Sequence, residues 1–162
     1  MIHDNDPSFW QFHLENARTT GNRELEAGAL TNLGASYAYS EQYARALDRY
    51  HQAIPIFQEL GDRNREIWAL NNIGTTYYHL TQYNRAIAVY LKAIAVSRSA
   101  GTLVREGWVL RSLAHTYRSM GRYDDAIAAL HEAIGVFQDR GSVEELTEAT
   151  QLLTDVRQER NS

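Results

Sequence analysis

Apolar residues fall three and four positions apart along almost the whole chain, the spacing that gathers them on one face of an α-helix. The same pattern returns every 40 residues without a gap. Units starting at Gly21, Gly61 and Gly101 bring Leu30, Leu70 and Leu110 into phase, followed by Leu33, Ile73 and Leu113, and then by Gly34, Gly74 and Ala114. Tyr37, Tyr77 and Tyr117 come next, then Tyr43, Tyr83 and Tyr123, Ala46, Ala86 and Ala126, and finally Ala53, Ala93 and Ala133. Two polar breaks interrupt each unit. The first is a short turn at Ser40 to Gln42, at Thr81, and at Met120 to Arg122. The second runs from Leu60 to Asn64, where Gly61 suits the left-handed end of one helix and Asp62 the cap of the next. Each unit therefore reads as a helical hairpin.

Glycine inside a helix costs up to ~1 kcal/mol relative to alanine, so its return in phase calls for a compensating contact. The expected one is a close approach of the paired helices, Gly74 against Ala86, with Tyr77 and Tyr90 filling the space beside them. A hairpin alone cannot cover its apolar face, so successive hairpins must stack. The fold class this predicts is all-α, a right-handed superhelical solenoid of three hairpins with one helix at each end. Its divisions are an N-terminal helix over 7–20, units at 21–60, 61–100 and 101–140, and a capping helix over 141–160. Pro55, late in a second helix, is expected to kink or loosen the last turn.

The run "LNNIGTTY" followed by "AIAVYLKA" resembles the tetratricopeptide repeat, over Glu24 to about Arg140. That family's usual repeat is ~34 residues, and the longer period here resembles the variant in kinesin light chains, polarity adaptors and large bacterial signalling ATPases. The opening "FWQFHLENARTTGNRELEAGALTNLG" is similar to the start of the repeat array in antibiotic-regulator (SARP-type) transcriptional activators. Trp10 there falls at the phase of Tyr50 and Tyr90. The third unit departs from the pattern, with Ala114 for glycine and Leu130 for tyrosine, which the fold is expected to tolerate. In the last helix Thr154 and Arg157 stand at the glycine and tyrosine positions, as a polar cap would have them.

The resemblance implies that first helices line a concave groove. That puts Trp68, Asn71, Asn72, Thr75, Tyr78 and His79 of the second unit, and Trp108, Arg111, Ser112, His115 and Arg118 of the third, on the binding side. Gly28, Thr31, Asn32, Ala35 and Tyr39 are the counterparts in the first unit. Asparagines would bond the backbone of an extended peptide, tryptophans would anchor its apolar side chains, and Arg111 with Arg118 would meet an acidic group, unless those arginines pair with Glu148, Gln151 or Asp155 of the last helix. The clamp that some family members use for a C-terminal carboxylate is only half echoed, because Thr31 and Ala35 replace polar residues.

Composition narrows the rest. A net charge of -4 offers no general attraction to nucleic acid or anionic lipid, and an absence of cysteine excludes disulfides and thiolate metal sites. Among the six histidines, His51 and His131 lie two units apart, His79 and His115 lack an acidic residue one turn away, and His3 and His13 sit near the start. No cofactor or metal site is expected, nor catalysis, membrane spanning or export, and the cytoplasm is the expected location. The function expected is a non-enzymatic protein- or peptide-binding module, the sensor or interaction region of a larger bacterial signalling or transcriptional regulator, with a stand-alone adaptor as the alternative. The solenoid ends offer a second surface, for self-association.

Overall fold

In a computed structural model that describes residues 6–102 and 105–162, eight helices follow one another: α1 (Pro7–Thr19), α2 (Arg23–Tyr39), α3 (Tyr43–Glu59), α4 (Arg63–His79), α5 (Tyr83–Ala100), α6 (Glu106–Ser119), α7 (Tyr123–Arg140) and α8 (Val143–Arg160). The chain signals that start and stop them are of two kinds. Between units, Gly21, Gly61, Gly101 and Gly141 adopt positive φ, and Asn22 and Asp62 cap α2 and α4 by accepting from the Leu25 and Arg65 amides at 3.0 and 2.9 Å. Within hairpins the second helices have no side-chain cap; the turn is made by one left-handed residue, Glu41, Thr81 or Gly121. Only the last of these is glycine. Nothing in the sequence pattern marks Glu41 or Thr81 for that conformation.

Helices α2 and α3, α4 and α5, and α6 and α7 form three hairpins, with α1 packed on α2 and α8 on α7. First helices of successive hairpins also approach one another, α2 to α4 and α4 to α6, and no approach of that extent joins the second helices among the described residues. First helices therefore lie on the inner, concave side. The continuous core runs from Leu14 to Val156.

The helical glycines have a reason that differs from the expected one. A methyl group at Gly34 would stand 2.7 Å from Cε1 of Tyr50, and one at Gly74 would collide with the Tyr90 ring. The space left by Gly74 is thus occupied by an aromatic face, not by Ala86. Tyr50 and Tyr90 are buried, and burial pushes the phenols' pKa values up. At the same two phases the third hairpin carries Ala114 and Leu130, both fully buried, so the position that gains a methyl comes with a side chain that lacks the ring. Bulk moves in a second layer too: Gly107 faces Phe137, while in the preceding hairpin Ile67 and Ser97 stand at those positions.

Pro55 does not end its helix: α3 continues to Glu59 with the proline on its exposed side, where water can meet the carbonyl left without an amide. At the C-terminal end, α8 buries Ala149, Leu152, Leu153 and Val156 and turns Thr147, Thr150, Thr154 and Arg157 to solvent.

A feature missed in the sequence lies where unit meets unit. Glu26, Glu66 and Glu106 share one phase and are buried. Glu26 accepts from Arg18 at 3.0 Å and Arg23 at 2.6 Å, and Glu66 from Gln58 at 2.6 Å and Arg63 at 2.7 Å. Arg18 and Gln58 come from the helix before, so each glutamate ties one unit to its predecessor. Burial opposes ionisation of Glu26, but the bonds from Arg18 and Arg23 outweigh it and its pKa is lowered. Glu106 keeps the bond from Arg98, 2.8 Å, but Leu103 replaces the second arginine in the sequence and Oε2 has no partner among the described residues.

Candidate binding groove

Three parallel stripes, each with helical spacing of four, three and four, line the concave side: Gly28, Asn32, Ala35 and Tyr39 on α2; Trp68, Asn72, Thr75 and His79 on α4; Trp108, Ser112, His115 and Ser119 on α6. Between α2 and α4 they bound a cleft of about 410 Å³, with Ala35, Tyr39, Asn72, Thr75 and His79 on its walls. Tyr43, at the start of α3, stacks on His79 with ring centroids 5.9 Å apart and planes 5° from parallel. Tyr39 is 76% exposed at the lip, an aromatic surface with nothing of the described chain over it.

The cleft between α6 and α8, about 670 Å³, has a different character. Arg111 is ion-paired with Glu148, and Arg118 with Glu159, whose Oε2 is 2.9 Å from Arg118 Nε. The two cations expected to meet an acidic ligand are therefore already satisfied by the terminal helix. Glu148 was legible as a partner from the sequence, and Glu159 was not. The bond from Arg118 lowers the pKa of Glu159. His115, between the arginines, leaves much of its ring in solvent; desolvation of its inner edge lowers its pKa, and Arg118 and Arg111 push the same way.

The remaining expected residues divide between open and occupied. Trp68 is half-buried, and Trp108 packs on the core with the Arg105 guanidinium 5.5 Å from its ring centre. Tyr78 shares a hydrogen bond with Ser119 across the α4–α6 seam, 3.0 Å between hydroxyl oxygens, and Thr75 shares one with Tyr90 at 3.2 Å. The side-chain amides of Asn32, Asn71 and Asn72 are a contrast. None of them hydrogen-bonds within the described chain, and Asn71 Oδ1 is shut off from solvent.

A tetratricopeptide repeat profile matches residues 24–99 and again 67–139, well over half of the chain. The chain belongs to the tetratricopeptide repeat family. No curated protein sequence matches it. Among solved structures, aspartyl phosphate phosphatase F from Bacillus subtilis superposes with a TM-score of 0.84 at 24% identity, over 92% of this chain and 39% of the other. A Rap conjugation gene regulator in complex with a Phr peptide gives 0.72 at 17%, over 90% and 41%. A signal transduction ATPase with numerous domains and a tetratricopeptide repeat sensor, from Pyrococcus horikoshii, gives 0.64 at 18%, over 96% and 28%. The chain thus spans less than half the length of each of these three. At such identities the likeness is one of fold. As in other tetratricopeptide repeat chains, the chemistry on offer is that of a lined groove. Among the described residues no cluster of three or more His, Asp or Glu is placed to hold a metal, and no helix is long and apolar enough to cross a membrane.

Proposed function

We propose that this tetratricopeptide repeat domain binds an extended peptide or protein segment along its concave face, without catalysing a reaction. The observation that carries this reading is the row of asparagine amides on the first helices, Asn32, Asn71 and Asn72, none bonded within the described chain. An amide presents one acceptor and two donors, which is what a peptide backbone needs to replace its lost water. Of these, Asn32 and Asn72 line the clefts and are open to a ligand, whereas Asn71 Oδ1 is closed off and would need a side-chain rotation to take part. Thr75, Tyr78, Trp68 and Trp108 flank that row and supply apolar and hydroxyl contacts. Arg111, His115 and Arg118 extend the site toward α8, and an acidic segment engages them only by displacing Glu148 and Glu159.

The groove reading is tested by selecting binders from a displayed random peptide library and measuring a selected peptide by fluorescence anisotropy. Replacing Asn32 and Asn72 together by Ala should weaken binding at least tenfold, about 1.4 kcal/mol, with unchanged thermal unfolding. A selected peptide whose affinity survives that double replacement and Trp108→Ala would overturn it.

The setting proposed is the sensor or interaction region of a larger cytoplasmic bacterial signalling or transcriptional regulator. What supports it is that two of the superposed structures are named as a gene regulator and a signal transduction ATPase, and that this chain spans under half of each. The reading frame of the gene decides it: an ATPase or DNA-binding domain in the same frame supports the regulator, and a frame holding the repeats alone supports an adaptor.

A further inference from the structure

One position of the concave stripes departs from its counterparts in size. Trp68 and Trp108 share a phase, and the residue at that phase in the first hairpin is Gly28. Nothing lies within 4 Å of where a Cβ at Gly28 would be, so the glycine is not there to admit a neighbouring side chain. It floors a hollow of about 200 Å³ lined by Trp10, His13, Leu25 and Ala29, with the polar side chains of Asn16, Glu24, Asn32 and Arg65 completing it. Trp10 and His13 belong to an aromatic cluster on α1, with ring centroids 5.8 Å apart, and Leu25 is 58% exposed. Gly28 and Asn32 are successive members of the α2 stripe, so the hollow opens onto the groove floor.

We infer that this hollow is a binding site for one aromatic side chain, presented by the segment in the groove. The repeat itself gives the size and chemistry of the missing group, because the following two hairpins carry an indole at this position. An enclosed apolar cavity of ~150 Å³ holds a benzene ring, so a hollow of about 200 Å³ that is open to solvent has room for one aromatic ring against its apolar walls, with the polar residues left at its edge. Aromatic walls favour an aromatic guest through edge and face contacts that an aliphatic one cannot make. Arg65 is held by Glu24 and Asp62, which keeps its guanidinium at the rim without leaving a charge to be neutralised by the guest. The identity of the carrier rests on the groove reading; the existence of the site does not.

The test uses N-acetyl-L-tryptophanamide and N-acetyl-L-leucinamide as probes, titrated into the labelled protein and followed by backbone amide chemical shifts. The tryptophan probe should shift Gly28, Ala29 and the Trp10 indole N–H, saturating with a Kd on the order of a millimolar, as a guest of that size allows. The leucine probe should bind at least fivefold more weakly. Gly28→Trp should abolish these shifts while melting no lower than wild type, and Gly28→Ala should retain them. Equal affinity for the two probes, shifts that persist in a folded Gly28→Trp, or no saturable shift would each overturn the inference. If the tryptophan probe binds at Gly28 but no displayed peptide binds the groove, the site stands and the groove reading falls. If library peptides bind and keep their affinity in Gly28→Trp, the groove reading stands and the inference falls.

Discussion

The second and third hairpins share a backbone plan and fill it differently. In the second, Gly74 makes way for the Tyr90 ring, and Ile67 and Ser97 occupy the layer nearer the unit's start; in the third, Ala114 and Leu130 replace the first pair, and Gly107 with Phe137 the other. In the layer nearer the unit's start large and small exchange sides, in the other the large residue stays on the second helix, and the helices pair in one register throughout. Between these two hairpins a larger residue on one helix comes with a smaller one on the other, as close packing requires.

The largest effect should come from emptying one of these layers. Phe137→Ala leaves a void beside Gly107 and should cost ~3–5 kcal/mol in denaturant unfolding, part of it recovered when Gly107→Ile is added to imitate the second hairpin. Failure of the added isoleucine to recover any stability would mean the layers are not interchangeable. Next, Gly74→Ala should lose ~1–3 kcal/mol because the methyl meets the Tyr90 ring, despite alanine's better helix propensity. Combined with Tyr90→Leu, which reproduces the Ala114 and Leu130 pairing, the two changes should couple by ~1 kcal/mol or more in a double-mutant cycle. Simple additivity would contradict the pairing.

The hairpin turns give a smaller contrast. Thr81 holds φ 57° and Gly121 holds φ 69° at the same turn position. Thr81→Gly should stabilise by ~1 kcal/mol, since a β-branched residue is strained there, and Gly121→Thr should lose a similar amount. Melting curves of the two variants check the sign. The smallest effect separates the first joint from the third. The pKa of Glu26 is lowered in the folded chain, so its contribution is present above the ordinary carboxylate pKa and lost as pH falls through the depressed value. Acid unfolding of Arg18→Ala should therefore begin at a higher pH than in wild type. An unchanged acid midpoint would show that the joint is held by packing alone.

The fold was legible because stacking hairpins demand a period, and the period survives every substitution among the chain's own three copies. Helix starts at Asn22 and Asp62 were readable for the same reason: capping chemistry is local. The Glu26, Glu66 and Glu106 joints were hidden because an acidic residue in the first turn of a helix also reads as a favourable partner of the helix dipole. Only three dimensions show that its oxygens point back to Arg18, Gln58 and Arg98. The groove residues follow only from which helices face inward, and one of them, Thr31, is instead fully buried, its hydroxyl donating to the Ala27 carbonyl of its own helix. Whether Arg111 and Arg118 are free depends on where α8 lies, and spacing along α6 does not contain that. The hollow at Gly28 depended likewise on α1, whose Trp10 and His13 close it from another helix.

Since the substantial helix contacts among the described residues join helices one or two places apart in sequence, the contact order is low and no long loop must close before the chain gains stability. Folding can then begin in any hairpin and spread, and unfolding can proceed by fraying. Hydrogen exchange should be slowest in α4 and α5, which have a hairpin on either side, and fastest in α1 and α8. On that gradient, the hollow at Gly28 sits in the half of the molecule that opens first, and a guest seated between α1 and α2 would slow exchange there before anywhere else.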